Sequence, residues 1–109
     1  MIDEQLSLIL VTAPSPEVGN QLAHGLVTER LAACVTVVPG VMSTYNWEGK
    51  LEQATEALMI IKTRRSRYAE LEQYMRTHHP YDTPEIIEMP AGQVTPPYWQ
   101  WVMQATTRG

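Results

Sequence analysis

The apolar positions of this chain change their period several times, and each change marks an element. Leu6 to Ala13 is a nearly continuous apolar run stopped by Pro14. A run of that length, closed by a turn residue, predicts a strand buried on both faces. Ser15-Pro16-Glu17 follows with an N-cap residue, a proline for the first helical position and an acid for the first turn. Val18, Leu22 and Leu26 then repeat at helical spacing, and this helix is predicted to end near Arg30. Ala33 to Thr63 reads as one long β-hairpin. Its first arm is β-rich from Cys34 to Val38, is interrupted at Pro39-Gly40 and resumes from Val41 to Trp47. Glu48-Gly49 supplies the turn. The returning arm is polar at first and then solidly apolar through Leu58, Met59, Ile60 and Ile61.

A second helix is predicted from Ser66 to Thr77, with Tyr68, Leu71 and Met75 on one face. His78-His79-Pro80 ends it, because proline disfavours helical geometry in the residue before it. Glu85 to Met89 reads as a short strand closed by Pro90, and Thr95-Pro96 caps a last helix carrying Tyr98, Trp101, Val102 and Ala105. The order is β-α-β-β-α-β plus a terminal helix. This is an α+β, ferredoxin-like arrangement in a single domain spanning residues 1–109. The two most uniformly apolar strands suit the centre of the sheet. The two that contain or abut Pro39 and Pro90 suit its edges, where a missing N–H costs least.

Length and charge narrow the partners. At 109 residues the chain holds one domain, and 44% apolar residues suffice for its core. The net charge of −4 argues against a nucleic-acid backbone as main partner. No apolar run approaches the roughly 20 residues that cross a bilayer. The start, Met1-Ile2-Asp3-Glu4, is acidic where a secretory signal is basic. A cytoplasmic protein without a membrane partner is expected. Cys34 is the single cysteine, which excludes an internal disulfide and a multi-cysteine zinc site within one chain.

The hairpin also predicts assembly. Arms of about 14 residues at about 3.3 Å each reach roughly 45 Å. A compact domain of this size is only about 35 Å across. The hairpin must project, exposing its edges and its aromatic tip at Tyr45 and Trp47, or bend back at Pro39-Gly40. Projecting edges invite pairing with another chain.

Several segments carry a resemblance. Arg30-Leu31-Ala32-Ala33-Cys34, Tyr45-Asn46-Trp47-Glu48-Gly49-Lys50, Ile61-Lys62-Thr63 and His79-Pro80-Tyr81-Asp82-Thr83-Pro84-Glu85-Ile86 stand in one order and spacing. With Val11-Thr12-Ala13-Pro14 and Tyr98-Trp99-Gln100-Trp101, they resemble the CutA family of divalent-cation tolerance proteins. The resemblance runs from about Leu6 to Ala105. It implies a ferredoxin-like subunit in a tight homotrimer, with long hairpins paired around a three-fold axis, as in the PII signalling proteins. It also implies a role in tolerance to copper or another divalent cation, and no catalytic reaction. One departure concerns copper: some members have a cysteine where Val11 stands, so a soft ligand for Cu(I) is missing.

Candidate sites follow. His78 and His79, at the predicted helix end with Asp82 and Glu85 a few residues on, are the candidate ligands for Cu2+ or a similar divalent ion. Histidine at a helix C-terminus is equally favoured as a cap. Trp47, Glu48, Glu52, Lys62, Tyr81 and Trp101 form a candidate ligand cleft for a small anionic or zwitterionic molecule. In that alternative the protein is a PII-like module that binds a metabolite at subunit clefts. The competing reading packs the aromatics in the trimer and pairs Lys62 with a glutamate. Arg64, Arg65 and Arg67 read as solvated surface or an anion contact. Cys34 reads as a small buried hydrophobe and His24 as a surface residue. No nucleophile with a recognisable base and no Gly-rich phosphate loop is present, so no enzyme is expected.

Overall fold

The computed structural model describes residues 4–108, so Met1, Ile2 and Asp3 of the acidic start lie outside the described residues. The elements are β1 (Leu6–Ala13), α1 (Pro16–Thr28), β2 (Cys34–Trp47), β3 (Lys50–Arg64), α2 (Tyr68–His78), β4 (Ile86–Pro90) and α3 (Pro96–Ala105). A 3-10 turn, Arg65–Arg67, joins β3 to α2. That turn delays the second helix by two residues against the sequence expectation. Its cause is visible: the Glu4 carboxylate accepts from the Ser66 backbone N–H and hydroxyl, at 3.2 and 2.9 Å.

All strand pairs are antiparallel, in the order β2-β3-β1-β4. The apolar strands β1 and β3 are central, and the proline-bearing β2 and β4 are the edges. At Pro39-Gly40 the register of β2 on β3 shifts between Val38 and Val41. Pro39 has no N–H to contribute to a ladder, and Gly40 takes a φ of +70° that a side chain would strain. The strand is therefore bulged but continuous, and the hairpin does project. The molecule measures 44 × 26 × 26 Å.

One sheet face is closed by α1 and α2. Ile9, Val11, Met59 and Ile61 pack there on Leu22, Leu26, Leu71 and Met75. The Ser15 hydroxyl caps α1 by accepting from the Val18 N–H at 3.2 Å. The other face is closed at one end only, where Val102, Tyr98 and Trp99 of α3 meet Leu6, Leu8 and Ala33. Beyond α3, this face carries the row Thr36–Ile60–Leu10–Ile87 and, beside it, Val38–Leu58–Thr12. Ile87 is 49% exposed and Val38 36%.

Two arginines of the basic cluster are neither solvated nor an anion site. Arg64 donates to the Met103 carbonyl and the Thr106 and Thr107 hydroxyls and pairs with Glu4, while Arg67 donates to the Thr106 carbonyl and pairs with Glu70. Guanidinium groups thus satisfy the open carbonyls at the C-terminus of α3 and hold that helix to the sheet.

Candidate binding cleft

Strand alternation places Ser43, Tyr45 and Trp47 of β2 on the same side of the hairpin as Glu52 and Glu56 of β3. Opposite them runs the segment from Pro80 to Glu85, which joins α2 to β4. Between the two lies a cavity of about 830 Å³. Thr12, at the end of β1, forms part of its wall.

The loop is held by His79. Its Nε2 donates to the Thr12 carbonyl at 2.9 Å, and its Nδ1 accepts from the Tyr81 backbone N–H at 3.1 Å. A carbonyl can only accept, so the imidazole carries its proton on Nε2 and both nitrogens are engaged. The His79 and Tyr81 rings lie 4.8 Å apart. Tyr81 then reaches across the cleft and donates its hydroxyl to Glu56 Oε2 at 2.8 Å. A relay from β1 through His79 and Tyr81 to β3 thereby fixes the cleft's width. Burial, and next the hydrogen bond and charge of Glu56, push the Tyr81 hydroxyl up to about 12 from its usual 10.0.

The two histidines expected as metal ligands have different partners within the chain. His79 is buried and fully hydrogen-bonded. His78 is exposed, stacks on Tyr74 with ring centroids 4.0 Å apart, and places Nδ1 2.9 Å from the Tyr74 carbonyl. Adjacent residues leaving a helix end point apart, and these two do. Asp82 and Glu85, the expected helpers, line the cleft instead. Among the described residues no group of three His, Cys, Asp or Glu side chains converges on a point that could hold a metal ion.

The structure distributes the six residues of the candidate ligand cleft over the cavity wall and places outside it. Trp47, Glu52 and Tyr81 line the wall. Glu48 does not: it sits at the hairpin turn with φ +51°. Lys62 lies further along β3, donating to the Thr36 hydroxyl and the Ile60 carbonyl. Trp101 is on α3, tilted on Tyr98 at 5.6 Å. Within this one chain the cavity wall therefore carries carboxylates and, among the described residues, not the expected lysine. Glu56 and Tyr45 complete the wall. Their signal was in the sequence, since Tyr45 and Trp47 share a strand face, as do Glu52 and Glu56.

Comparison with known proteins gives the same architecture. The model of the CutA1 divalent ion tolerance proteins matches residues 7–105. The chain belongs to this family. A CutA homolog of Xenopus laevis is 46% identical over 101 residues, which are 93% of this chain and 67% of that one. The divalent-cation tolerance protein CutA of Escherichia coli is 41% identical over 107 residues, covering 94% of this chain and 96% of that protein. The mammalian and plant relatives are longer, and the chain spans 54% to 57% of their length. The crystal structure of CutA1 from Oryza sativa superposes with a TM-score of 0.92 at 39% identity, covering 95% of both chains. The solved structure of the Thermus thermophilus divalent cation tolerance protein does so with 0.91 at 37%, covering 94% of this chain and 100% of that one. The family thus confirms the ferredoxin-like subunit and the place of its long hairpin.

Proposed function

We propose that this chain is a non-catalytic, cytoplasmic protein of divalent-cation tolerance that works as a homotrimer. The observation that carries the assembly is the sheet face beyond α3. There Leu10, Leu58, Ile60, Val38 and Ile87 form a contiguous apolar surface that no element among the described residues covers, beside a hairpin whose tip is exposed. Patches of that kind mark association surfaces, and the edge strand β2 offers its open ladder next to them. The three-fold arrangement follows the family resemblance of the sequence. The tolerance role follows the family's name, and the unpaired Cys34 suits a reducing compartment. Because no convergent ligand set exists within one chain among the described residues, a divalent ion is held by ligands from more than one subunit.

Light scattering of the purified protein at micromolar concentration is expected to report three subunits. Calorimetric titration with Cu2+ and Zn2+ is expected to give binding that disappears when the assembly is dissociated. A monodisperse monomer in neutral buffer would refute the assembly, and metal binding that survives dissociation would refute the shared site.

A further inference from the structure

We infer that the cleft is a receptor site for a small organic cation, an alkylammonium ion whose charged head sits on Glu56 between the rings of Tyr45, Trp47 and Tyr81. This goes beyond the tolerance reading and does not depend on a metal.

Glu56 is the key. It is only 7% exposed, yet among the described residues it has no Lys, Arg or His partner. Its Oε2 takes the Tyr81 hydroxyl, and its Oε1 receives no hydrogen bond among the described residues. No sealed side-chain polar atom lacks a partner among those residues, so Oε1 is open, and what it opens onto is the cleft. A buried carboxylate without a counter-charge is costly, and the fold keeps this one aimed into a cavity.

The surroundings name the ligand's class. Glu52, Asp82 and Glu85 add three further carboxylates to the wall, and among the described residues no basic side chain lines it. A wall of that charge favours a cation over an anion. Within one chain a bare metal ion finds no ready site here, because among the described residues these carboxylates stand around a cavity of about 830 Å³ without three of them converging on a point. Dispersed carboxylates over such a space suit a cation with length, such as a chain bearing two ammonium groups. The aromatic faces supply the rest. Rings attract cations through their quadrupole, and they cover methylene groups that water would otherwise meet. The hydroxyls of Thr12 and Ser43 offer further acceptors for ammonium N–H groups.

The test uses the full chain in its native assembly, with 1,4-diaminobutane as probe and succinate, of equal carbon count and opposite charge, as control. Calorimetry and tryptophan fluorescence are expected to show saturable binding of the diamine and none of succinate. Glu56→Gln keeps an acceptor for Tyr81 and removes the charge. It is expected to weaken the diamine by about tenfold or more, the size of one charge-assisted hydrogen bond, with assembly mass unchanged and the thermal midpoint unchanged or raised. Glu52→Gln, on the exposed wall, is expected to weaken it by a smaller factor and serves if Glu56→Gln fails to fold. The inference falls if the parent does not bind the diamine, if succinate binds as well, or if neither glutamine variant weakens binding. It falls also if Glu56→Gln lowers the assembly mass, which would assign Glu56 to a basic side chain of a neighbouring subunit. Cu2+ and Zn2+ titrations on the same variants read the tolerance proposal separately.

Discussion

The two faces of β3 are built from the same kind of sequence and have different fates. Ala57, Met59, Ile61 and Thr63 point at α1 and α2 and are fully buried. Their neighbours Leu58, Ile60 and Lys62 point the other way and remain partly exposed. Only Glu56 on that second face is buried, and it is a carboxylate. Hydrophobicity alone treats Ile60 and Ile61 as equivalent. The structure separates them, because helices of the same chain complete one face and, among the described residues, cover the other at one end only.

The contrast breaks most sharply by mutation of that adjacent pair. Ile61→Ala opens a cavity in a closed core and is expected to cost about 2–5 kcal/mol in urea denaturation. Assembly mass should be unchanged for whatever fraction stays folded. Ile60→Asp puts a charge on the open face. It is expected to lower the mass seen by light scattering while the separated subunit keeps its circular dichroism. Equal loss of subunit stability from both, with no change in mass, would show that the second face is closed within the chain.

A smaller effect is expected at the cleft. Tyr81→Phe removes the hydroxyl that spans to Glu56 and should cost about 1 kcal/mol near neutral pH, since the ring stays half-exposed. It should also change the alkaline limb. The folded Tyr81 keeps its proton up to about 12, whereas the unfolded chain loses it near 10.0. Between those values the native state holds the extra proton, so stability falls as pH rises. The contribution is fully present below 10.0 and lost through about 12. Phenolate absorbance should lose part of its late-titrating component in Tyr81→Phe, and the stability difference from the parent should shrink between pH 10.0 and about 12. An unchanged tyrosine titration would remove Tyr81 from the relay.

The smallest expected effect is at the tip. Glu48 and Gly49 both have positive φ, 51° and 82°, the pattern of a two-residue type I′ turn. Glutamate is a poor choice there and asparagine a good one. The Asn46 side chain already braces the turn by accepting from the Gly49 N–H at 3.1 Å. Glu48→Asn is therefore expected to add about 0.5–1 kcal/mol, read as a rise of a few degrees in thermal midpoint. Because Glu48 lies outside the cleft, diamine binding should not change. A loss of binding would extend the cleft to the turn.

Much of this fold was legible residue by residue. Pro39 and Pro90 marked the edges because a residue without an N–H cannot sit in the middle of a ladder. Ser15-Pro16-Glu17 marked the start of α1 because its chemistry satisfies open N–H groups locally. The 44 Å length of the molecule was already in the hairpin's residue count. The site was legible only in fragments. Trp47, Glu52 and Tyr81 line one cavity, whereas Glu48, Lys62 and Trp101 lie outside its wall. Glu56 passed for one more polar residue of an exposed arm.

The reason lies in the range of the forces. Capping, turn chemistry and side-chain alternation act within a few residues, so the sequence alone determined the elements, their order in the sheet and the projecting hairpin. Burial of His79, the turning of Lys62 toward Thr36 and the capture of the α3 carbonyls by Arg64 and Arg67 depend on partners tens of residues away. Only the tertiary structure decided those, because a long polar side chain goes wherever an unsatisfied group or a counter-charge lies within its reach. The same rule made the cleft acidic: the one lysine expected there found its acceptors elsewhere, and Glu56 was left facing the cavity.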